Sequence, residues 1–400
     1  MNKYLKHVLN HLNLSYTDTK KTKLQDKMII KLPFGYFSPN TDFFKNEMYY
    51  WDSYFTLKLL QLWKIDEYNI TDTLYNFAYL IDKFGFIPNA NRYDFLSRSQ
   101  MPLFGISIFE TNNTTDSYLL KKLHEEVKWW EQYPHPKYGK FKKVSKNSYF
   151  RYFSDFNEST SVCESGWDYS RRWFVDDKNG VPKEKITSLW AVDLNSVMIF
   201  NLNLLESFGY KTESKVDNLL ENFDSIFWND DLNFYVDYNF ELQEQSNYKT
   251  LAGFMPMYFN FSSKDKADKM VNQLNDFLYP HGLSAMPKRT TSEQKKLKYE
   301  KKMQWEYPNG WAPLHYFVVV ALLNYDYIDI ATKTMQCFCK GCEEYFDKHS
   351  TFPEKILVDP TSKLASSDYA DQGGFGWTNA VYAIFRLVLD EKINIKDITT

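Results

Sequence analysis

Apolar residues recur at helical spacing along most of the chain, in stretches that end near glycine, proline or asparagine. The clearest stretch covers residues 72–84 and stops at Gly85, a residue type that commonly closes a helix. The same periodicity predicts helices over these segments: 56–64, 116–133, 187–207, 215–227, 264–277, 311–323, 328–349 and 377–389. No block of alternating β-branched residues separates them. The pattern predicts an all-α protein with roughly ten to twelve helices.

Residues of the types that serve in catalysis and ligand binding lie in the loops between these helices. Segment 164–173 carries two carboxylates, two tryptophans and two arginines, with Gly166 just before the pair Trp167 and Asp168. Similar loop segments are 47–54, 89–100, 304–313, 353–355 and 367–379. The alternative for the tryptophans is core packing, and for a loop carboxylate it is a helix cap or a solvated charge. In an α-helical enzyme we expect the helices to form the scaffold and the polar loops to carry the functional residues.

Composition narrows the class of protein. The 400 residues are 44% apolar and carry a net charge of −3, so a sizeable core is possible and no basic excess points to nucleic acid or anionic lipid. The chain has neither a G-x-G-x-x-G motif nor a P-loop, and no run approaches 18 apolar residues. We therefore expect no cofactor, no nucleic-acid partner and no membrane contact.

The four cysteines bear on metal binding and on location. Cys337, Cys339 and Cys342 form C-x-C-x-x-C, but a metal site needs a further ligand and no His or other Cys is close in sequence. Small buried thiols within a helix are the favoured interpretation, so no metal is expected. Free thiols, together with an N-terminus (residues 1–21) that lacks an apolar signal-peptide core, predict a cytoplasmic location.

Carboxylates beside tryptophans, with arginine and amide side chains near by, indicate sugar chemistry. Breaking a glycosidic bond needs one carboxylic acid to protonate the leaving oxygen and one carboxylate on the other face of the sugar. Aromatic rings cover the apolar faces of a sugar, and Arg, Asn, Gln and Asp bind its hydroxyls.

At these segments the chain resembles the trehalases, glycoside hydrolase family 37. The family's first signature, P-G-G-R-F-x-E-x-Y-x-W-D-x-Y, is present in its second half as residues 47–54. The second, Q-W-D-x-P-x-G-W-x-P, is present as residues 304–313, with Glu306 in place of Asp. Further matches in family order are segments 89–100, 164–173, 192–195, 354–355 and 374–379. The resemblance therefore covers nearly the whole chain.

The resemblance implies a fold and a set of roles. It implies an (α/α)6 barrel, which we assign to residues 31–400 after an N-terminal extension over residues 1–30. It implies inversion at the anomeric carbon, with Asp168 as general acid and Glu354 as general base. It also implies a set of residues on the sugar: Trp51, Asp52, Asn89, Arg98, Gln100, Gly166, Trp311, Asp368, Phe375 and Trp377.

The chain departs from the family pattern at pocket positions. Phe44 and Lys45 occupy the slots of Arg and Phe in P-G-G-R-F, and the family's R-P-E appears as F-N-E over residues 156–158, so a second arginine is missing. Arg151 is a candidate replacement for the lost arginine. The family's Glu in the glycine-rich loop corresponds to Asp368.

Three functions are consistent with this pattern. The first is an inverting α,α-trehalase, the second a hydrolase of another small α-glycoside of the glucosyl- or mannosylglycerate type, and the third an inactive sugar-binding protein. The retained Asp168 and Glu354 favour hydrolysis of a disaccharide or small glycoside by a monomer or dimer.

Overall fold

The computed structural model describes residues 1–132, 134–135, 139–140, 149–154, 158–176, 182–289, 303–362 and 372–399. Helices dominate these residues, which confirms the predicted all-α class. The α-helices are α1 (Lys3–Ser15), α2 (Tyr50–Trp63), α3 (Ile70–Phe84), α4 (Phe104–Glu110), α5 (Ser117–Gln132), α6 (Glu158–Ser165), α7 (Val192–Ser207), α8 (Val216–Phe227), α9 (Met255–Tyr258), α10 (Lys264–Val271), α11 (Ala312–Asn324), α12 (Ile328–His349) and α13 (Gly376–Leu389).

The helices form two concentric layers. In the inner layer α2, α4, α7, α9, α11 and α13 each contact the next, and α13 closes the ring by packing on α2. Around them, α1 packs on α13, α3 on α2, α5 and α8 on α7, and α12 on α11. This arrangement is the predicted (α/α)6 barrel.

The sequence of each helix matches its layer. Every residue of α11 from Ala312 to Leu323 is buried, because this inner helix is covered on all sides. The outer helix α8 buries only one face, formed by Val216, Leu219, Phe223 and Phe227. The hydrophobic pattern thus separates fully enclosed helices from amphipathic outer ones.

Short strands link the loops at the helix ends. They are β1 (Tyr16–Thr17), β2 (Tyr36–Phe37), β3 (Pro134–His135), β4 (Gly139–Lys140), β5 (Phe174–Asp176), β6 (Pro182–Glu184), β7 (Leu189–Trp190), β8 (Trp228–Asn229), β9 (Phe234–Tyr235), β10 (Tyr238–Asn239), β11 (Glu244–Gln245), β12 (Leu278–Tyr279), β13 (Gly282–Leu283), β14 (Asn309–Trp311) and β15 (Lys355–Leu357). All their pairings are antiparallel. The pairing of β14 with β15 sets Trp311 opposite Lys355, which brings two of the motif segments together.

3-10 helices complete the described structure, at Tyr93–Phe95, Arg171–Trp173, Ile186–Ser188, Leu251–Phe254, Leu274–Asp276 and Ile395–Ile398. At the N-terminus, α1 buries Leu5, Val8 and Leu12 in the same hydrophobic core as the barrel helices. The division into an extension over residues 1–30 and a barrel over 31–400 stays a prediction. Within the described ranges, no helix is long and apolar enough to cross a bilayer.

Candidate active site

The loop that carries Asp168 is held in an unusual backbone conformation. Gly166 has φ +75° and Tyr169 has φ +56°, so two left-handed residues bracket Trp167 and Asp168. The backbone carbonyl of Trp167 accepts a hydrogen bond of 2.9 Å from Trp173 Nε1. The backbone N–H of Trp167 donates to Ser165 Oγ at 3.1 Å. These contacts fix the direction in which the Asp168 side chain leaves the loop.

The Asp168 carboxyl lies in a desolvated position. Its Oδ1 is inaccessible to solvent and has no hydrogen-bond partner among the described residues. Burial, and secondarily the negative charge of Glu354, raise the pKa of Asp168 to about 7, against a smaller opposing effect of Arg98. A carboxyl in this state is protonated near neutral pH and able to donate a proton.

Glu354 is held by its backbone. Its N–H donates to the carbonyl of Gln372 at 2.8 Å, and its carbonyl accepts from Trp377 Nε1 at 2.8 Å and from Thr378 Oγ1 at 3.3 Å. The side chain is buried, and its Oε2 lies 3.6 Å from Lys355 Nζ. An ammonium group at this distance stabilises the negative charge of the carboxylate.

A third carboxyl, Asp52, belongs to the same site. It lies in the first turn of α2 and is 7% exposed. Burial raises the pKa of Asp52 to about 8, and the charge of Glu354 adds to the increase. Because Glu354 acts on both Asp52 and Asp168, the three acids share one electrostatic environment.

A wall of stacked indoles adjoins the acids. Trp305 stacks on Trp311 with ring centroids 3.9 Å apart, and on Trp167 at 5.0 Å. Trp51 lies 5.9 Å from Trp305 and 5.6 Å from Trp377. This wall joins the tryptophans of four separate motif segments, and its rings are buried against one another, so it holds these segments together.

Other predicted sugar residues lie around this wall. Phe375 packs on Trp377 at 4.6 Å, and Trp377 is also 5.9 Å from Trp311. The ring of Trp51 contacts Gly166 so closely that a Cβ atom at position 166 would lie 3.0 Å from Trp51 Cζ2. The structure therefore brings these predicted residues together. Asp368 lies outside the described residues.

Some polar residues of segment 89–100 bind backbone groups of neighbouring segments and so stabilise the fold. Gln100 Oε1 accepts from the backbone N–H of Trp51 at 3.1 Å, and Asn89 Nδ2 donates to the carbonyl of Cys163 at 3.1 Å. The Arg98 guanidinium lies over the ring of Phe95 at 4.4 Å. Arg98 Nε is buried without a hydrogen-bond partner within the described part of the chain. Arg98 is thus one member of this segment with donor capacity left for a ligand.

Arg172, four residues after Asp168, has a structural role. Arg172 binds Asp193 through two hydrogen bonds of 2.6 Å and Asp237 through bonds of 2.7 and 2.8 Å. All three side chains are buried. Glu164 similarly accepts hydrogen bonds from the backbone N–H groups of Ser99 and Phe153. These motif residues hold loops rather than substrate.

The replaced pocket residues have other partners. Phe44 packs edge-on against Phe375 at 6.3 Å and against Tyr49 at 5.3 Å. The guanidinium of Arg151 lies over Phe153 and Phe240, and donates to the carbonyl of Thr187 at 2.7 Å. Arg151 is therefore held by protein groups.

Sequence reasoning missed the central members of the wall. Trp167 and Trp305 were not proposed as site residues, although both lie inside quoted motifs and their spacing to Asp168 and Trp311 is the available signal. Glu306 was noted only as a substitution. Its Oε1 accepts from the backbone N–H of Arg171 at 3.2 Å, and its Oε2 pairs with Arg289.

Comparison with known proteins identifies the family. A sequence model described as trehalase matches residues 1–159 and 150–388. The periplasmic trehalase of Escherichia coli O8 (strain IAI1) is 30% identical over 412 residues, covering 91% of this chain and 70% of the relative. The periplasmic trehalase of Escherichia coli strain K12 / DH10B matches to the same extent.

Solved structures share the fold. The neutral trehalase Nth1 of Saccharomyces cerevisiae superposes with a TM-score of 0.68 at 21% identity, covering 91% of this chain and 76% of that one. A mannosylglycerate hydrolase of Thermus thermophilus has a TM-score of 0.66 at 13% identity, covering 96% of this chain and 100% of its own. Both are (α/α)6-barrel enzymes.

The prediction of a cytoplasmic location is wrong, because the curated relatives above are named periplasmic trehalases. The thiol argument failed for a physical reason. Cys339 and Cys342 are buried, and burial raises the pKa of both thiols well above the usual value, so they stay protonated and inaccessible. Buried thiols of this kind persist in either redox compartment.

The comparisons also answer whether the retained acids belong to an enzyme or to a sugar-binding protein. Family, fold and the curated relatives agree along nearly the whole chain. The protein is therefore a glycoside hydrolase and belongs to the trehalase family.

Proposed function

We propose that this protein hydrolyses α,α-trehalose to two molecules of glucose with inversion, using Asp168 as general acid and Glu354 as general base. The observation that carries the proposal is the state of Asp168. It is a desolvated carboxyl whose Oδ1 has no partner in the described ranges, whose pKa is raised to about 7, and whose main charged neighbour is Glu354.

The proposed reaction assigns one step to each acid. Glu354 takes a proton from a water molecule, whose oxygen attacks the anomeric carbon from the face opposite the leaving group. Asp168 donates its proton to the glycosidic oxygen as the bond to the anomeric carbon breaks. The products are one glucose with inverted configuration and one glucose released as the leaving group. Both acids return to their starting states by exchanging a proton with solvent.

The surroundings of the two acids support these roles. An acid catalyst has to be protonated at the start of each turnover, and burial beside Glu354 provides that for Asp168. A base catalyst has to be ionised, and Lys355 Nζ at 3.6 Å stabilises the Glu354 carboxylate. The buried indoles of Trp51, Trp305 and Trp311 hold the loops that carry the two acids in place.

One observation favours a second candidate substrate. Phe44 stands where the family carries an arginine, and Arg151 is already held by Thr187 and two phenylalanine rings. The loss of guanidinium donors changes the match of the pocket to trehalose, which motivates another small α-glycoside, such as glucosyl- or mannosylglycerate, as the second candidate.

Activity assays separate these proposals. We expect glucose release from trehalose by the wild type, and a loss on the order of 10²–10⁴-fold in Asp168→Asn and in Glu354→Gln with the fold retained. Product analysis on trehalose, glucosylglycerate and mannosylglycerate identifies the substrate. Near-normal turnover in either variant contradicts the catalytic roles, whereas hydrolysis of a glycerate glycoside but not of trehalose supports the second candidate.

A further inference from the structure

A cavity apart from the candidate active site lies beside the N-terminal part of the chain, between α1, β1 and the loop over residues 38–47. Its volume is about 640 Å³, which is within the range of small-molecule sites. The described residues that line it include neither Asp168 nor Glu354. The cavity is therefore separate from the candidate active site.

The floor of this cavity is built from small hydrogen-bonding side chains. Ser15, Thr17, Ser38 and Asn40 line it, and each is less than a tenth exposed. The Thr17 hydroxyl donates to Asn46 Oδ1 at 3.3 Å, which leaves its lone pairs available as acceptors. The Ser15 hydroxyl donates to the Leu12 carbonyl and Asn40 Nδ2 to that of Gly373, so the hydroxyl groups of the floor offer a ligand acceptor lone pairs, to which the hydroxyls of a sugar can donate.

The charges around the cavity are balanced. Three cationic and three anionic side chains line it: Lys23, Lys45, Arg92, Asp26, Asp42 and Glu47. Arg92 is already engaged, with its Nη1 at 2.6 Å from Glu47 and 3.2 Å from Asp26. A wall with no net charge favours a neutral ligand over an anion or a cation.

An aromatic ring stands at the mouth of the cavity. Phe43 lines it and is 72% exposed, which is unusual for a side chain of this size. A solvated aromatic ring beside a floor of hydroxyl groups presents an apolar face and hydrogen-bonding groups to the same ligand. Sugars carry both kinds of surface.

The loop that lines the cavity also contacts the candidate active site. The backbone of Asn40 pairs with that of Phe375, and Asn40 Nδ2 donates to the carbonyl of Gly373. The ring of Phe44 packs on Phe375, which in turn packs on Trp377. A ligand that orders this loop therefore acts on residues next to Glu354.

We propose that this cavity is a second carbohydrate site, which binds a neutral mono- or disaccharide and is coupled to the active site through residues 40–44. The hydroxyl groups of the floor provide hydrogen-bond acceptors, Phe43 provides a stacking face, and the balanced charge favours a neutral ligand. The proposal concerns binding and does not depend on the roles of Asp168 and Glu354.

Calorimetric titration of Glu354→Gln with trehalose tests the proposal, because this variant binds without consuming the sugar. We expect two trehalose molecules per chain in Glu354→Gln. We expect at least tenfold weaker binding of one of them when Phe43→Ala is added. The matched control is Phe208→Ala, which removes another exposed ring, 47% accessible, at the end of α7 and leaves both events unchanged.

The outcomes separate this proposal from the proposed function. A single binding event that disappears with Phe43→Ala supports the second site while contradicting trehalose as the substrate. A single event that Phe43→Ala leaves intact supports trehalose at the active site and overturns the second site. No binding at all up to 100 mM trehalose and glucose (about a hundred times a typical upper KM) overturns both.

Discussion

The backbone of Gly166 lies against the indole ring of Trp51, so that a Cβ atom at position 166 would be 3.0 Å from Cζ2 and 3.1 Å from Cε2 of that ring. This contact joins the loop of Asp168 to the N-terminal turn of α2, which carries Asp52. Two segments more than 100 residues apart thus share one wall of the site. The position of Asp168 relative to the indole wall therefore depends on Gly166, which has no side chain.

We predict that Gly166→Ala impairs both stability and catalysis. The positive φ of Gly166 costs an alanine about 1–2 kcal/mol in the free energy of unfolding. The added methyl group also pushes Trp51 or the Asp168 loop away by a few tenths of an ångström. Because a displacement of about 1 Å is worth on the order of 10²-fold in kcat/KM, we expect a loss of about threefold to tenfold. Chemical denaturation and steady-state kinetics measure the two effects.

Gly209→Ala is the matched control for this variant. Gly209 has φ +80°, and nothing lies within 4 Å of the position of its missing Cβ. It therefore shares the backbone strain without the contact, and we expect a similar loss of stability with unchanged kcat/KM. Equal kinetic effects in the two variants would show that the contact with Trp51 has no role.

The pH dependence of activity follows from the state of Asp168. A general acid has to be protonated, and its pKa is raised to about 7, so kcat/KM should fall with rising pH above about 7. Asp52, with a pKa raised to about 8, is another acid of the site that titrates in this window. Asp52→Asn distinguishes them, since the alkaline limb near pH 7 should persist in that variant at reduced overall activity. If kcat/KM of Asp52→Asn no longer falls above about pH 7, the general acid is Asp52 and not Asp168.

The stability of Asp168→Asn should differ from that of the wild type in a pH-dependent way. The folded state holds the pKa of Asp168 at about 7, above the usual 3.8, so folding disfavours the ionised form. This penalty is absent below about pH 4, grows as the pH rises to 7, and is constant above that. We therefore expect Asp168→Asn to unfold at a higher temperature than the wild type at pH 8, with no difference at pH 4. Equal melting temperatures at pH 8 contradict a desolvated carboxyl.

The ion pairs of Arg172 predict a large loss of stability on substitution. Arg172→Met leaves Asp193 and Asp237 as buried carboxylates without their cation, which costs about 3–5 kcal/mol. The comparison variant is Arg386→Met, because Arg386 and Asp390 are each about a quarter exposed and their pair is worth about 0–1 kcal/mol. Denaturant titration of both variants measures the difference, and similar losses would argue against a buried network.

Local sequence patterns predicted much of the fold. The helix expected over residues 328–349 is observed with the same bounds, and the helix before Gly85 ends there with that glycine at φ +83°. The segment 264–277 was predicted as one helix, but α10 ends at Val271 and a 3-10 turn follows over Leu274–Asp276. The inner helix α9 has only four residues, too few for an apolar period to be recognised.

Candidate catalytic residues could be predicted from local motifs, whereas residues that act through contacts between distant segments could not. Asp168, Glu354 and Trp51 stand out from their motifs, and the structure places their segments together. Arg172 binds Asp237, 65 residues away, and no local pattern marks such a pair. Trp305 and Trp167 were missed as site residues because stacking between distant loops depends on the closed barrel.

The anomeric configuration of the first products tests the central claim most directly. Proton NMR during early hydrolysis of trehalose, before mutarotation, should give α-glucose and β-glucose in equal amounts, because Glu354 directs water to the face opposite the leaving group. The Glu354→Gln enzyme under the same conditions should give neither. Two equivalents of α-glucose from the wild type would mean retention, and would contradict an acid at Asp168 acting with a base at Glu354.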